Sequence, residues 1–448
     1  VLAFVAVLGG LFGVVYALGG QTGKAPLASV AVAEAALRTI RTDLGEVFAP
    51  GVDLVVGDPH KAMGLLTDAW TAVGAAETAN VSPTTLDPLR NQVSDGLDRL
   101  FHVVPVADAT VLPFQSDKVQ YDLQTLVRGP DGMPYVIDKA TSAVYRIDLR
   151  AKKANLIFRA KTHAPGGTEG IPKFLATGGR DLVIVDDKNV VWRWRARDTK
   201  GNGTTTQIKV AGSAGWGDDV LAVGTFLRDA SAGLYNLYVV DPSSQNIVYY
   251  TPARDGAGFP NNAQPRLPVN RDVSKVTDLV IDGDIFVADG GTIVRFVGGN
   301  SEGWSVQPPG YTDDTQGGDT LLRSAPNYTL IASASDKRTG RIYAWDQANG
   351  RVVAYDKAKG TFIEQYRLVG DDPAFGDIRG MYVILGAGPD APSTLVWATK
   401  NAVMSAVLEA VEDPTAPGAS GSPSTSGSPS ASGASGSPAA SAKASARP

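Results

Sequence analysis

The chain has 448 residues, 43% of them hydrophobic, and a formal charge of −5. A sizeable core can form, and the net negative charge argues against bulk nucleic-acid binding. With no Cys and only three His (His60, His102 and His163), disulfides, thiolate zinc sites, a Cys nucleophile and any multi-His centre are excluded by count.

Residues 1–19, VLAFVAVLGGLFGVVYALG, carry no charge. About 20 apolar residues span a bilayer core as a helix, and Gly is common in such helices. The expectation is a transmembrane helix over 1–20, with a cleaved signal peptide as the competing reading. It implies a single-pass membrane protein in contact with the lipid bilayer, with the propeller described below outside the cytoplasm. The sequence opens on Val1 rather than Met and reads as the C-terminal part of a longer protein.

Residues 27–102 read as a helical stalk. Val30, Ala33, Leu37, Ile40, Leu44 and Val47 fall three and four apart, a helical stripe that Pro50-Gly51 ends. Asp58-Pro59 reads as an N-cap followed by Pro at the first helical position. A second stripe follows in Met63, Leu66, Trp70 and Val73. Ser82-Pro83 opens a third, carried by Leu86, Leu89, Val93, Leu97 and Leu100. Such helices can pair with a second copy of themselves, pack on the base of the next domain, or act as a plain spacer.

From Val103 the apolar period changes to two. "PYVID" ends at Asp138, "LVIVD" at Asp186, "LYVVD" at Asp241, "IFVAD" at Asp289 and "IYAWD" at Asp346, and "LVWAT" puts Thr399 in that place. The intervals are 48, 55, 48, 57 and 53 residues. Each is followed by a polar turn and another strand, and several are preceded by an apolar strand opening on Asp. Repeats of this length and strand content are the signature of propeller blades. Six repeats over 106–410 predict a mainly β fold, a six-bladed β-propeller. The sixth repeat runs out after its third strand, and the apolar stretch 106–114 has no repeat of its own. It is expected to supply the missing outer strand and close the ring. Residues 415–448, rich in Ser, Gly, Ala and Pro, read as a disordered tail.

The run Gly129, Gly132, Tyr135, Val136, Asp138, then Val144-Tyr145-Arg146, resembles the NHL family of six-bladed propellers. The likeness spans about 115–408. With the domain order, it is similar to the C-terminal part of bacterial membrane signalling proteins that carry an N-terminal PPM-type phosphatase domain. That resemblance implies a sensor or tethering part, with the catalytic domain lying before Val1. No cofactor is expected for the residues given, and manganese or magnesium only for such a phosphatase domain.

Asp138, Asp186, Asp241, Asp289 and Asp346 each end a strand at a tight turn, where a carboxylate accepts backbone N–H groups, so they read as structural. "DTKGNG" (198–203) has Lys at the third and twelfth positions of a would-be calcium loop and is rejected. No phosphate loop and no Gly-x-Ser-x-Gly elbow is present. Some six-bladed relatives resemble lactonases with a central metal, for which Glu169, Asn236, Asn262 and Asp289 are residues of the right type. Their spacing does not single them out. The loops 160–173, 211–218, 253–275, 298–319 and 370–376 join successive blades and carry His163, Trp216, Arg266, Trp304, Tyr311 and Asp313. Loops with aromatics and Arg on a rigid scaffold are the expected ligand face. The expected function is a membrane-anchored propeller binding a protein, peptide or glycan. A metal-dependent lactonase or a non-catalytic anchored scaffold are the alternatives.

Overall fold

The computed structural model describes residues 27–198, 201–301, 303–307, 325–333, 340–369, 375–387 and 391–409. Helices α1 (Leu27–Val47), α2 (Leu54–Gly57), α3 (Pro59–Thr78) and α4 (Pro83–Leu100) come first. Their boundaries follow local chemistry. Asp58 caps α3 by accepting from Lys61 N at 3.2 Å, and Pro59 opens it. Ile40, Leu44, Val47, Leu66, Val73, Leu86, Val93 and Leu100 are buried in one cluster, whereas Val30, at the start of the α1 stripe, is exposed. Gly96 lets α4 approach α3, since a Cβ there would meet Leu66 at 2.9 Å.

Six antiparallel sheets follow, ordered from inner to outer strand along the chain except for the outer strand of blade 6. Blade 1 comprises Leu123–Arg128, Pro134–Asp138, Ala143–Asp148 and Lys153–Arg159. Blade 2 comprises Pro172–Gly178, Asp181–Asp186, Val191–Ala196 and Gly203–Val210. Blade 3 comprises Ala222–Asp229, Leu234–Asp241, Asn246–Tyr250 and the short Gln264–Pro265. Blade 4 comprises Val276–Ile281, Ile285–Asp289, Thr292–Val297 and the short Asn300–Ser301. Blade 5 comprises Tyr328–Ser333, Arg341–Asp346, Arg351–Asp356 and Phe362–Leu368. Blade 6 comprises Met381–Ile384, Thr394–Ala398 and Ala402–Val407, and its outer strand is β2 (Asp108–Pro113), paired antiparallel with Ala402–Val407. The stretch 106–114 therefore closes the last blade. Each inner strand touches the inner strand of the next blade, and that of blade 6 touches that of blade 1, so the ring is complete.

Inner strands leave one edge facing the central channel, and an open edge needs partners for its N–H and C=O groups. Neighbouring blades supply them. Thr177 Oγ1 donates to Arg128 O at 2.7 Å, Thr225 Oγ1 donates to Thr177 O, and Thr277 Oγ1 donates to Thr329 O at 2.8 Å. Asp278 accepts from Ile331 N at 2.9 Å.

Two outer edges are covered by a fifth, parallel strand that the periodicity did not predict. β1 (Val103–Val106) runs beside Gln365–Leu368 of blade 5, and Gly258–Phe259 runs beside Lys209–Val210 of blade 2. The helical unit is fixed to blade 5 at the same place. Asp98 on α4 is buried against the Arg367 guanidinium, and Gln365 Nε2 donates to Phe101 O at 3.1 Å.

The fold class read from the sequence needs one correction. No helix among the described residues is long and apolar enough to cross a membrane, and residues 1–20 lie outside the described residues. The transmembrane helix is therefore not supported, and the single-pass placement with an external propeller falls with it. The fold is a mainly β six-bladed propeller with a small helical unit. The tail over 415–448 also lies outside the described residues.

Candidate functional site

The repeated Asp residues sit where the second strand of a blade turns into the third. Asp138 Oδ1 accepts from Asp122 N at 2.8 Å and its carboxylate also takes Ala140 N and Thr141 N. Asp186 accepts from Gly170 N, Lys188 N, Val190 N and Trp192 Nε1, and Asp346 from Asn327 N at 3.0 Å. Asp241 caps Ser243 N at 3.1 Å. In three blades the carboxylate thus binds the turn to the residue that leads into the inner strand. Asp289 differs and pairs with Arg271 at 2.8 Å.

The loop residues proposed for a ligand face do not converge. His163 lies on a small hairpin, 163–168, whose Pro165 O accepts from Gln207 N on the outer strand of blade 2, so it stands at the rim. Trp216 is buried, with Nε1 donating to Tyr250 Oη and the rings 5.8 Å apart. Its ring fills the space between blades 2 and 3. Arg266 N donates to Ile247 O beside the third strand of blade 3. Trp304 packs edge-on against Phe286 at 5.7 Å, between blades 4 and 5. Tyr311 and Asp313 lie outside the described residues.

The residues considered for a central metal are also dispersed. Glu169 is buried and accepts from Arg159 N at 3.0 Å on the outer strand of blade 1, and burial raises its pKa. Asn236 is in the second strand of blade 3, Asn262 is exposed in the following loop, and Asp289 holds Arg271. Among the described residues no group of three His, Asp or Glu is placed to hold a metal ion. These four residues do not fit a shared ion.

What does converge is the rim of the central channel on the loop side. Near the start of four inner strands the pairing register slips by one residue, at Thr125, Lys173, Thr277 and Thr329. An extra residue in a strand re-aims its side chain and bends the edge. All four are polar. Lys173 is exposed, and its Nζ spans to Asp218 O and Val220 O of the next entry loop at 3.3 and 3.1 Å. The Thr329 hydroxyl oxygen is buried and has no hydrogen-bond partner among the described residues. Arg379 joins blade 6 to blade 1 by pairing with Asp122 and, at 2.9 Å, with Asp377. Sequence periodicity missed this ring because the slips depend on the neighbouring blade.

Below the mouth, Asp278 is half-buried in the channel wall, and desolvation pushes its pKa up to about 6. The folded chain then keeps that proton to about pH 6, whereas an ordinary Asp loses it near 3.8. The stabilisation is full at low pH and is lost as pH rises through 6, by roughly 2–3 kcal/mol at neutral pH. Asp278→Asn should flatten the change in urea midpoint between pH 4.5 and 7.5. An unchanged slope would show that another group titrates.

The chemistry available at the mouth is hydrogen bonding and charge. His60 is in α3, His102 packs on Phe362 at 6.2 Å beside the helical unit, and His163 is at the rim, so no imidazole reaches it. A separate rim groove of about 600 Å³ is lined by apolar side chains such as Val190, Ile208 and Phe259 together with Gln207, Lys209 and Asp255.

Comparison with protein-family models gives no match, and neither does comparison with curated proteins. Solved structures with similar coordinates share low identity with this chain. The WD40 repeats of RRP9 share 11% identity over 68% of this chain and 98% of that one, with a TM-score of 0.41. Regucalcin of Agrobacterium tumefaciens, a calcium-binding protein, shares 13% over 67% and 95%, with a TM-score of 0.38. A chain of a nidogen/laminin complex shares 16% over 55% and 79%, with a TM-score of 0.35. Such distant likeness carries no functional argument, and the six-bladed assignment rests on the strand pairing itself.

Proposed function

We propose that this chain is a binding module, a rigid ring that recognises a protein, peptide or glycan at the loop-side mouth of its channel. The observation that carries this reading is the set of polar residues at the slipped positions, Thr125, Lys173, Thr277 and Thr329, gathered on one rim. Hydrogen-bonding groups on a rigid frame can recognise polar ligands without ordering cost. No base–nucleophile pair accompanies them among the described residues. In a longer chain, such a module would act as the recognition part of a partner domain, as the repeat's resemblance to signalling propellers implies.

The test is a screen of the full chain on peptide and glycan arrays, repeated with Lys173→Glu. Binders lost in that variant support the reading. Binders unaffected by it, or none alongside lactone hydrolysis, would favour the lactonase alternative.

A further inference from the structure

The ring has a second mouth, at the end where the first strand of each blade turns into the second, opposite the slipped positions. There blades 1, 2 and 3 present Arg128, Arg180 and Arg228, all exposed. Their side chains make no hydrogen bond or ion pair among the described residues. The three are neighbours. Thr177 Oγ1 of blade 2 donates to Arg128 O at 2.7 Å, and Gly179 packs on the blade 3 turn, where a Cβ would fall 2.6 Å from Gly233 O. In blade 3 the register slips at Arg228, and an extra residue there re-aims its side chain. The equivalent turn of blade 4 carries Asp282 and Asp284 instead, so the basic arc stops there.

The turn between the third and fourth strands lies at the same end of a blade. In blade 1 it adds Arg150, Lys152 and Lys153, exposed and likewise without a hydrogen bond or ion pair from the side chain. Lys152 is in the left-handed region, with φ +47°. In the turns of blades 2 and 5 the same place, one residue before the closing backbone partner, is held by Gly201 and Gly360. Gly adopts that conformation freely and Lys does so under strain. The acids of these turns are already committed. Asp131 pairs with Arg146 and Asp181 with Arg195, both at 2.6 Å. Asp148 accepts from Arg150 N and Ala151 N, and Asp229 from Ser231 N and Ala232 N. A positive surface therefore stands on a chain whose formal charge is −5. Leu149 beside Arg150 and Leu227 beside Arg228 are also exposed.

We propose that this arc over blades 1 to 3 binds an acidic peptide segment of a partner protein, one in which Asp or Glu alternates with apolar residues. Exposed guanidinium forks on short turns match carboxylates. The exposed leucines meet the apolar residues between them. The turns carry no exposed aromatic ring on which a nucleic-acid base could stack. Two leucines offer too little apolar area to seat the face in a bilayer. This surface is at the other end of the ring from the mouth assigned above, so the two readings stand or fall separately.

Fluorescence anisotropy of the full chain with fluorescein-labelled Glu-Leu-Asp-Glu-Leu-Asp-Glu-Leu-amide tests the proposal. The peptide should bind with Kd below about 0.1 mM in dilute salt. Binding should weaken at least about tenfold between about 0.05 and 0.5 M salt, and vanish when Gln and Asn replace the acids. Arg180→Glu should weaken it about tenfold, whereas the charge-matched Lys188→Glu, at the opposite end of blade 2, should leave it intact. Lys152→Gly removes a charge and the strain together. It should weaken binding about threefold while raising the melting temperature, and it carries the test if Arg180→Glu fails to fold. The proposal is overturned by no binding, by binding unchanged in Arg180→Glu or Lys152→Gly, or by equal loss in Lys188→Glu. Tighter binding to phosphatidylserine vesicles or to oligothymidylate than to the peptide would overturn it too.

Discussion

Replacing Lys357 by Met should lower the unfolding free energy by about 3–5 kcal/mol, the usual cost of orphaning one member of a buried ion pair. Lys357 follows the third strand of blade 5 and is fully buried. Its ammonium group meets Asp282, in the first turn of blade 4, and Ser333 Oγ at 3.0 Å, and the Ser333 hydroxyl also donates to Asp282. Burial raises the pKa of Asp282, and the Lys357 charge opposes that rise. Without the ammonium the carboxyl must take up a proton to stay buried. The deficit should therefore be largest at pH 7.5 and shrink towards pH 4.5, because a raised pKa stabilises the fold only on its acid side. Adding Asp282→Leu to Lys357→Met should recover much of the loss. Urea unfolding at the two pH values decides the matter. A loss below about 1 kcal/mol for Lys357→Met at pH 7.5 would sink the account.

Removing residues 27–113 should be still more damaging. Blade 6 would lose β2, whose register covers Asp108 to Pro113 against Ala406 to Ala402, and blade 5 would lose β1. At about 0.5–1.5 kcal/mol for each net hydrogen bond, these ladders are worth several kcal/mol together. Two strand edges would also open to association with other chains. The truncated chain should melt well below the full chain and elute as oligomers, and a peptide covering 103–116 should restore the monomer in trans. Melting within a degree or two of the full chain would mean that the blade contacts alone hold the ring.

The architecture was legible where it depends on local rules. The second strand of blades 1 to 5 is an apolar run ending on an Asp, whose carboxylate in blades 1, 2 and 3 accepts backbone N–H groups of the next turn, so the repeat survives large changes elsewhere. Ring closure was legible by subtraction, since blade 6 ended early and 106–114 had no other use. β1 and Gly258–Phe259 were not, because short parallel pairs take their meaning from an outer strand far away in sequence. Trp216 and Trp304 were assigned to a ligand face because they fall in loops. Their rings instead fill the gaps between blades, as large apolar side chains do when a neighbouring sheet lies within reach. The membrane-helix reading over 1–20 rested on apolar composition and finds no helix to support it among the described residues.

The closing strand also determines how the ring would yield to force. β2 enters beside the end of Ala402–Val407, with Asp108 opposite Ala406, so the two chain directions meet at one corner of blade 6. A pull on the C-terminal side would peel that pair open a rung at a time, each bond failing before the next is loaded. A pull from the helical side first meets β1 and the Asp98–Arg367 contact on blade 5, where several bonds share the load. The ring should therefore resist tension from its helical end and unzip under the same tension from the other.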